Sequence, residues 1–164
     1  MEQPGETLNP TRVIGQRLAE LRKSRNGMTQ ERLAEAMRTL GIDWERVVVA
    51  KLEKGHRPFL KVDELLALCV ILGISPVDLL VPKDVDAEQW YQIAPKATAR
   101  AENVREWVRG EDVLFYRTDL GQDEPEAPFE PADLLNSTRW MPADRAARAL
   151  LRFIKEIEDR EDRE

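Results

Sequence analysis

Side chains able to do covalent or acid–base chemistry are few in this sequence. There is one histidine, His56, and one cysteine, Cys69. A working nucleophile needs a base within hydrogen-bond reach, and nothing in the chain pairs a nucleophile with His56. A structural zinc centre needs several His or Cys ligands at set spacings, and these are missing. A lone cysteine closes no internal disulfide and fits a reducing cytoplasm. No glycine-rich loop is present to cradle a phosphate. Carboxylates are plentiful, but a solvated acidic surface explains them better than acid–base catalysis. No enzymatic activity, cofactor or metal is therefore expected. What remains is a set of basic side chains, Arg46, Lys51, Lys54, His56 and Arg57, which by itself reads as a solvated face.

The elements that must position those side chains are clearly punctuated. Asn9-Pro10 supplies an N-cap and a proline at the first helical position, and Val13, Ile14, Leu18 and Leu21 recur at helical spacing as far as Arg25. Gly27 stops that helix. Thr29 opens a second, whose inner face is Leu33, Ala34 and Met37 and whose end is Gly41. Asp43 is placed to cap a third, with Trp44, Val48, Val49 and Leu52 available for burial before Gly55. A fourth helix, about Val62 to Leu72, carries leucine on more than one face, as expected of an element enclosed by neighbours. Ser75-Pro76 starts a short fifth helix that Pro82 ends.

Two stretches of this region resemble the phage-repressor (Cro/CI, Xre-type) helix-turn-helix family. They are Gly27-Met-Thr-Gln-Glu-Arg-Leu-Ala-Glu-Ala-Met and Val49-Ala-Lys-Leu-Glu-Lys-Gly-His-Arg-Pro, continued by the leucine-rich run from Val62 to Leu80. The resemblance covers residues of about 12–82. It implies a five-helix, lambda-repressor-like DNA-binding domain over 10–82, with the third helix in the major groove of double-stranded DNA.

In that register Arg46, Val47 and Lys51 match the positions that face bases. Arg46 is suited to bidentate pairing with guanine O6 and N7, and Val47 to apolar contact with a thymine methyl. Thr29 and Gln30 match the phosphate contacts at the start of the second helix, where backbone N–H groups and the helix dipole also attract an anion. Lys54, His56 and Arg57 follow the third helix as clamps on the DNA backbone, which position the protein without reading sequence. Glu53 matches a family acid that pairs with a base late in the first helix. Arg22 is assigned as its partner, with Lys23 the neighbouring alternative. Thr39 to Trp44 makes the link before the third helix longer than in the tightest family members, which implies a shifted angle for that helix.

Net charge is −6, but unevenly spread. Residues 11–82 hold 12 Lys/Arg against 9 Asp/Glu, and 83–164 hold 13 against 20, which is compatible with DNA binding confined to the first part. Residues 83–164 form an accessory region. Tyr91-Gln92-Ile93 is compatible with a short extended piece, and a helix is expected over about 98–109 with Ala101, Val104 and Trp107 on one face. An acidic, Pro-rich flexible segment is expected over about 117–132, and an amphipathic helix over about 142–163. In the last, Ala143, Ala147, Leu150, Ile154 and Ile157 make a heptad seam, equally suited to a dimer or to packing on its own chain. Trp90, Tyr91, Trp107, Phe115 and Tyr116 read as core rather than as a ligand pocket.

The expected fold class is thus all-α, a helix-turn-helix domain followed by a mostly helical acidic region. Self-cleavage of the kind some phage repressors perform needs a β-rich C-terminal domain with a Ser/Lys pair, for which the second half is too short, too acidic and too helical. Met1 to Asn9 does not read as a secretion signal, and no apolar run suits a bilayer. The expected function is a cytoplasmic, sequence-specific transcriptional regulator, a dimeric repressor of a palindromic operator. The alternative is an antitoxin or adaptor whose acidic C-terminal half binds a partner protein.

Overall fold

Asn9 and Pro10 begin the regular structure as their types dictate. The Asn9 carboxamide oxygen accepts from the backbone N–H of Thr11 at 3.0 Å and of Arg12 at 3.3 Å, and Pro10 opens helix α1, Pro10–Ser24. In the computed structural model the described residues are 7–24, 27–112, 114, 116–118, 143–144, 146–148, 150–151 and 154–155. Thr29 caps α2, Gln30–Thr39, by accepting from the N–H of Arg32 at 3.1 Å. Helix α3 is Arg46–Glu53, α4 is Val62–Leu72, and α5 is Pro76–Leu80, where Ser75 accepts from the N–H of Asp78. These helices lie in one compact unit, Leu8–Val85; the described residues from Asp86 onward belong to a second.

In the first unit the apolar stripes converge on one core. Ile14 and Leu18 of α1, Leu33, Ala34 and Met37 of α2, Val49 and Leu52 of α3, Leu68 and Leu72 of α4 and Leu79 of α5 are all buried together with Trp44. Each such side chain contributes on the order of 1.5–3 kcal/mol relative to exposure. Helix α4 is less enclosed than its leucine content suggests. Val62, Leu66 and Val70, spaced four apart, form an exposed stripe, because α2 and α5 pack on α4 and leave this face uncovered.

Helices α1 and α3 cross at very short range. A Cβ built on Gly15 would lie 2.0 Å from the Leu52 carbonyl oxygen and 3.4 Å from the Glu53 Cα. Only the absence of a side chain lets the two backbones touch.

The second unit corrects the all-α expectation. A three-stranded antiparallel sheet, β1 Trp90–Ala94, β2 Ala97–Arg100 and β3 Arg117–Thr118, runs in the order β1-β2-β3. Tyr91 faces Ala99 and Trp90 faces Arg100, with an irregularity between Gln92 and Ala94. The Arg100 guanidinium lies 4.0 Å from the centre of the Trp90 ring, a cross-strand cation–π contact. Residues 98–100, expected to start a helix, are strand, and helix α6 is only Ala101–Val108. Strand pairing wins because Ala97 and Ala99 alternate inward while α6 buries Ala101, Val104 and Arg105. Trp107 is 48% exposed rather than on that face. Steps of three residues drift about 60° each around a helix, so the third member leaves the buried stripe.

Arg117 and Thr118, placed within the expected flexible segment, are strand, and 119–132 lie outside the described residues. Of the expected last helix, residues 143–144, 146–148, 150–151 and 154–155 are helical. Leu150 is partly buried, Ile154 is half exposed, and Ile157 lies outside the described residues. No described helix is long and apolar enough to cross a membrane.

Alanine is worth about 1 kcal/mol more than glycine inside a helix, yet the clash at Leu52 reverses the sign. Gly15→Ala is expected to lower the stability of the folded chain by about 2 kcal/mol, since forced overpacking costs roughly 1–3 kcal/mol. The drop in urea midpoint measures it.

Candidate nucleic-acid interface

Helix α3 starts later than its sequence suggests. Asp43 does not cap it; the N-cap is Glu45, extended at φ −101 and ψ 162, with no side-chain cap bond. Trp44 lies outside the helix with its indole in the core, its backbone N–H donating to the Ile42 carbonyl at 2.8 Å, so the helix begins only after it. From Arg46 the helix divides cleanly. Val49 and Leu52 are fully buried, Val48 packs partly against the core, and Arg46, Val47 and Lys51 are exposed. Val47, Lys51 and Lys54, spaced 4 and 3, lie along one stripe opposite the buried pair.

The helix end is fixed by its backbone. The N–H of His56 donates to the Lys51 carbonyl at 2.8 Å and that of Gly55 to the Leu52 carbonyl at 2.9 Å, a Schellman closure. Gly55 has φ +69, a left-handed conformation that an L side chain adopts only with strain. The turn leaves Lys54 and His56 exposed just beyond α3. Arg12 of α1 crosses the same turn, its Cγ 3.5 Å from where a Gly55 Cβ would lie.

Two polar clusters hold the inner side of α3. At its C-terminal end, Glu53 Oε1 accepts from Arg22 Nε at 2.6 Å and Oε2 from Arg22 Nη2 at 3.1 Å, while Gln30 Nε2 donates to Oε2 at 2.7 Å. Arg22 Nη1 also donates to the Met28 carbonyl at 2.6 Å. The two charged side chains are 10% and 8% exposed. This fork-to-fork geometry ties α1, α2 and α3 together. Lys23, the alternative partner, is exposed.

The second cluster joins the segments on either side of α3. Glu64 Oε1 of α4 accepts from the Trp44 indole Nε1 at 2.9 Å and from Arg57 Nη2 at 2.7 Å, and Oε2 accepts from the Lys61 N–H at 2.8 Å. The Arg57 guanidinium lies 5.0 Å from the Trp44 ring centre, and Arg38 Nη1 donates to the Trp44 carbonyl at 2.6 Å. Burial by itself raises the Glu64 carboxyl, but the bonds from Arg57, Lys61 and Trp44 and the Arg57 charge outweigh it and hold the group below the usual carboxylate range.

The arrangement is a short helix locked on its inner side and cationic on its outer side. Residues 13–80 match the sequence profile of a helix-turn-helix domain. Among solved structures, the restriction-modification controller protein C.AhdI from Aeromonas hydrophila is similar, at 33% identity over 42% of this chain and 94% of that one, with a TM-score of 0.36. The chain belongs to the helix-turn-helix family. No curated protein matches it. The helix-turn-helix domain is a DNA-binding module, not a catalytic one.

Within the helix-turn-helix domain, α2 and α3 are the paired helices. Thr29 is exposed and its hydroxyl caps α2. Gln30, partly buried, uses one amide hydrogen on Glu53. Its carboxamide carries a second hydrogen. Arg57 lies elsewhere than the family register implies. Its side chain is 17% exposed and turned inward onto Glu64 and Trp44, so the expected phosphate contact gives way to an internal ion pair. Among the described residues no His, Cys, Asp and Glu cluster has the arrangement of a metal site.

Reading the sequence alone overlooked Arg12, Gly15, Glu64 and the polar role of Trp44. Glu64 carried a signal, since it stands three residues after Lys61 where an acid can reach back to the N-cap N–H. The others are visible only when distant segments meet.

A carboxyl held below its ordinary value adds stability that is complete above that value and is lost as pH falls toward the folded one. Glu64→Gln is expected to cost roughly 1–3 kcal/mol at pH 7. The gap between the two proteins should narrow as pH drops below about 4.5, the ordinary value. Denaturant unfolding at pH 7 and at successively lower pH checks both statements.

Proposed function

We propose that this protein is a sequence-specific transcriptional regulator, a repressor that binds a palindromic operator as a homodimer. The observation that carries the reading is α3, whose inner face is buried and clamped while Arg46, Val47 and Lys51 stand outward. An α-helix fits the major groove, and residues near its N-terminus reach base edges. Arg46 and Val47, in the first turn, read bases; Lys51 reads a base or a neighbouring phosphate.

Phosphates are held by Lys54 and His56 beyond α3, by Arg12 beside them, and by Thr29 and Gln30 at the start of α2. Backbone contacts of this kind set register without sequence information. The similar protein C.AhdI is a restriction-modification controller, which fits a regulatory role here. Its place of work is where the DNA is, in the cytoplasm or nucleoid.

A palindromic operator demands two copies. The exposed stripe of α4 supports dimerisation: Val62 is 72% exposed, Leu66 49% and Val70 72%, with Phe59, 62% exposed, one turn before. A contiguous apolar stripe on a soluble domain marks an interaction surface. One helix face can meet its own copy across a two-fold axis, giving a self-complementary interface.

Arg46→Ala is expected to weaken operator binding by about 1–3 kcal/mol and to relax the base preference at one position in each half-site. Lys54→Ala should instead weaken all sequences alike and reduce the salt slope by about one. Titrations against operator and scrambled duplexes at several salt concentrations separate the two. The double change Leu66→Glu with Val70→Glu should yield a monomer in sedimentation analysis while leaving the helical spectrum intact; an unchanged dimer would remove α4 from the interface.

A further inference from the structure

Helix α3 has eight residues, about two turns, and its N-cap forms no side-chain bond. The link from Leu40 to Glu45 that delivers it contains no helix or strand. The link has bonds of its own, Ile42 N–H to the Met37 carbonyl and Arg38 Nη1 to the Trp44 carbonyl, and contacts beyond it add to them in setting the angle at which α3 leaves its scaffold. At the C-terminal end that contact is made by Glu53, bonded to Arg22 and Gln30. At the N-terminal end the only anchored residue between Ile42 and Arg46 that is buried is Trp44.

Trp44 is anchored to Glu64, and Glu64 also holds Arg57. One carboxylate oxygen thus joins the residue two before α3 to the segment that leaves it. Arg57 depends on this contact. Its Nη1 is buried without a hydrogen-bond partner, so Glu64 and the Trp44 ring hold the guanidinium inward.

We propose that Glu64 is a positioning residue for base reading: through Trp44 and Arg57 it fixes the orientation of the first turn of α3, where Arg46 and Val47 stand. The proposal rests on the function given above. Base edges must be met within about 0.5 Å and 10–20°, whereas phosphate contacts by flexible cations tolerate small rotations. Arg46 lies two residues from Trp44, while Lys54 and His56 follow the end held by Glu53 and the Gly55 turn. Loss of the Glu64 cluster therefore acts on sequence discrimination and spares general DNA affinity.

The test uses the full chain and an operator obtained by selecting bound duplexes from a random pool with the wild-type protein. Glu64→Gln, which keeps the side-chain volume, and Trp44→Phe, which does not, are measured against that operator and a scrambled duplex, well below their melting temperatures. Glu64→Gln should lower operator affinity about tenfold or more, the scale of one misplaced bidentate contact, with scrambled-duplex affinity changed less than about twofold. Trp44→Phe, which removes the indole donor and part of the buried ring but leaves Arg57 on Glu64, should shift the ratio in the same direction. Equal losses on both duplexes, or an unchanged ratio in both variants, would overturn the positioning role while leaving the regulator reading intact. A wild-type protein that selects no preferred sequence would overturn the regulator reading itself, and this proposal with it.

Discussion

A carboxylate taken out of water must recover its hydrogen bonds from the protein, and Glu53 does so from two other helices. Arg22 approaches it with two nitrogens and Gln30 with one. Breaking a buried pair by removing one partner costs about 3–5 kcal/mol because the other charge is stranded. That penalty, rather than the net worth of the pair, is what makes the cluster a constraint. It brings α1, α2 and α3 together with Arg46 and Lys51 of α3 outward. Apolar burial supplies most of the folding free energy, but it is nondirectional. The ionic fork adds a directional tie among α1, α2 and α3.

Gly15 and Glu64 complete the constraint from two sides. Contact between the backbones of α1 and α3 at Gly15 sets their separation, and the Trp44–Glu64–Arg57 cluster ties both flanks of α3 to α4. The helix is thus held at each end and along its back. Its outward residues carry no structural duty of this kind: Arg46, Val47 and Lys51 are exposed. Such a division suits a reading surface, since base-facing side chains can vary while the scaffold keeps them in place.

Outside this domain the chain follows other rules. The pairing of Tyr91 with Ala99 and of Thr98 with Arg117 makes a small sheet from residues with weak strand signals. Alanine favours helix locally, and the segment 97–100 becomes strand because partners from elsewhere in the chain complete its hydrogen bonds. Tyr91 is buried there, and burial pushes its phenol above the ordinary range.

Much of the helix-turn-helix domain was written locally. Caps at Asn9, Thr29 and Ser75, the stop at Gly55 and the apolar spacing of α1 and α2 act within a few residues, so the sequence determined these helices, their core faces and the family they resemble. The identity of the base-facing candidates followed from that register. Tertiary structure decided what depends on distant partners. It chose Arg22 over Lys23 for Glu53, drew Arg57 from the DNA side to Glu64, began α3 at Arg46, after a buried Trp44, and turned residues 97–100 into strand. Periodicity records which face of a helix is apolar; it does not record which polar group on another helix arrives to meet it.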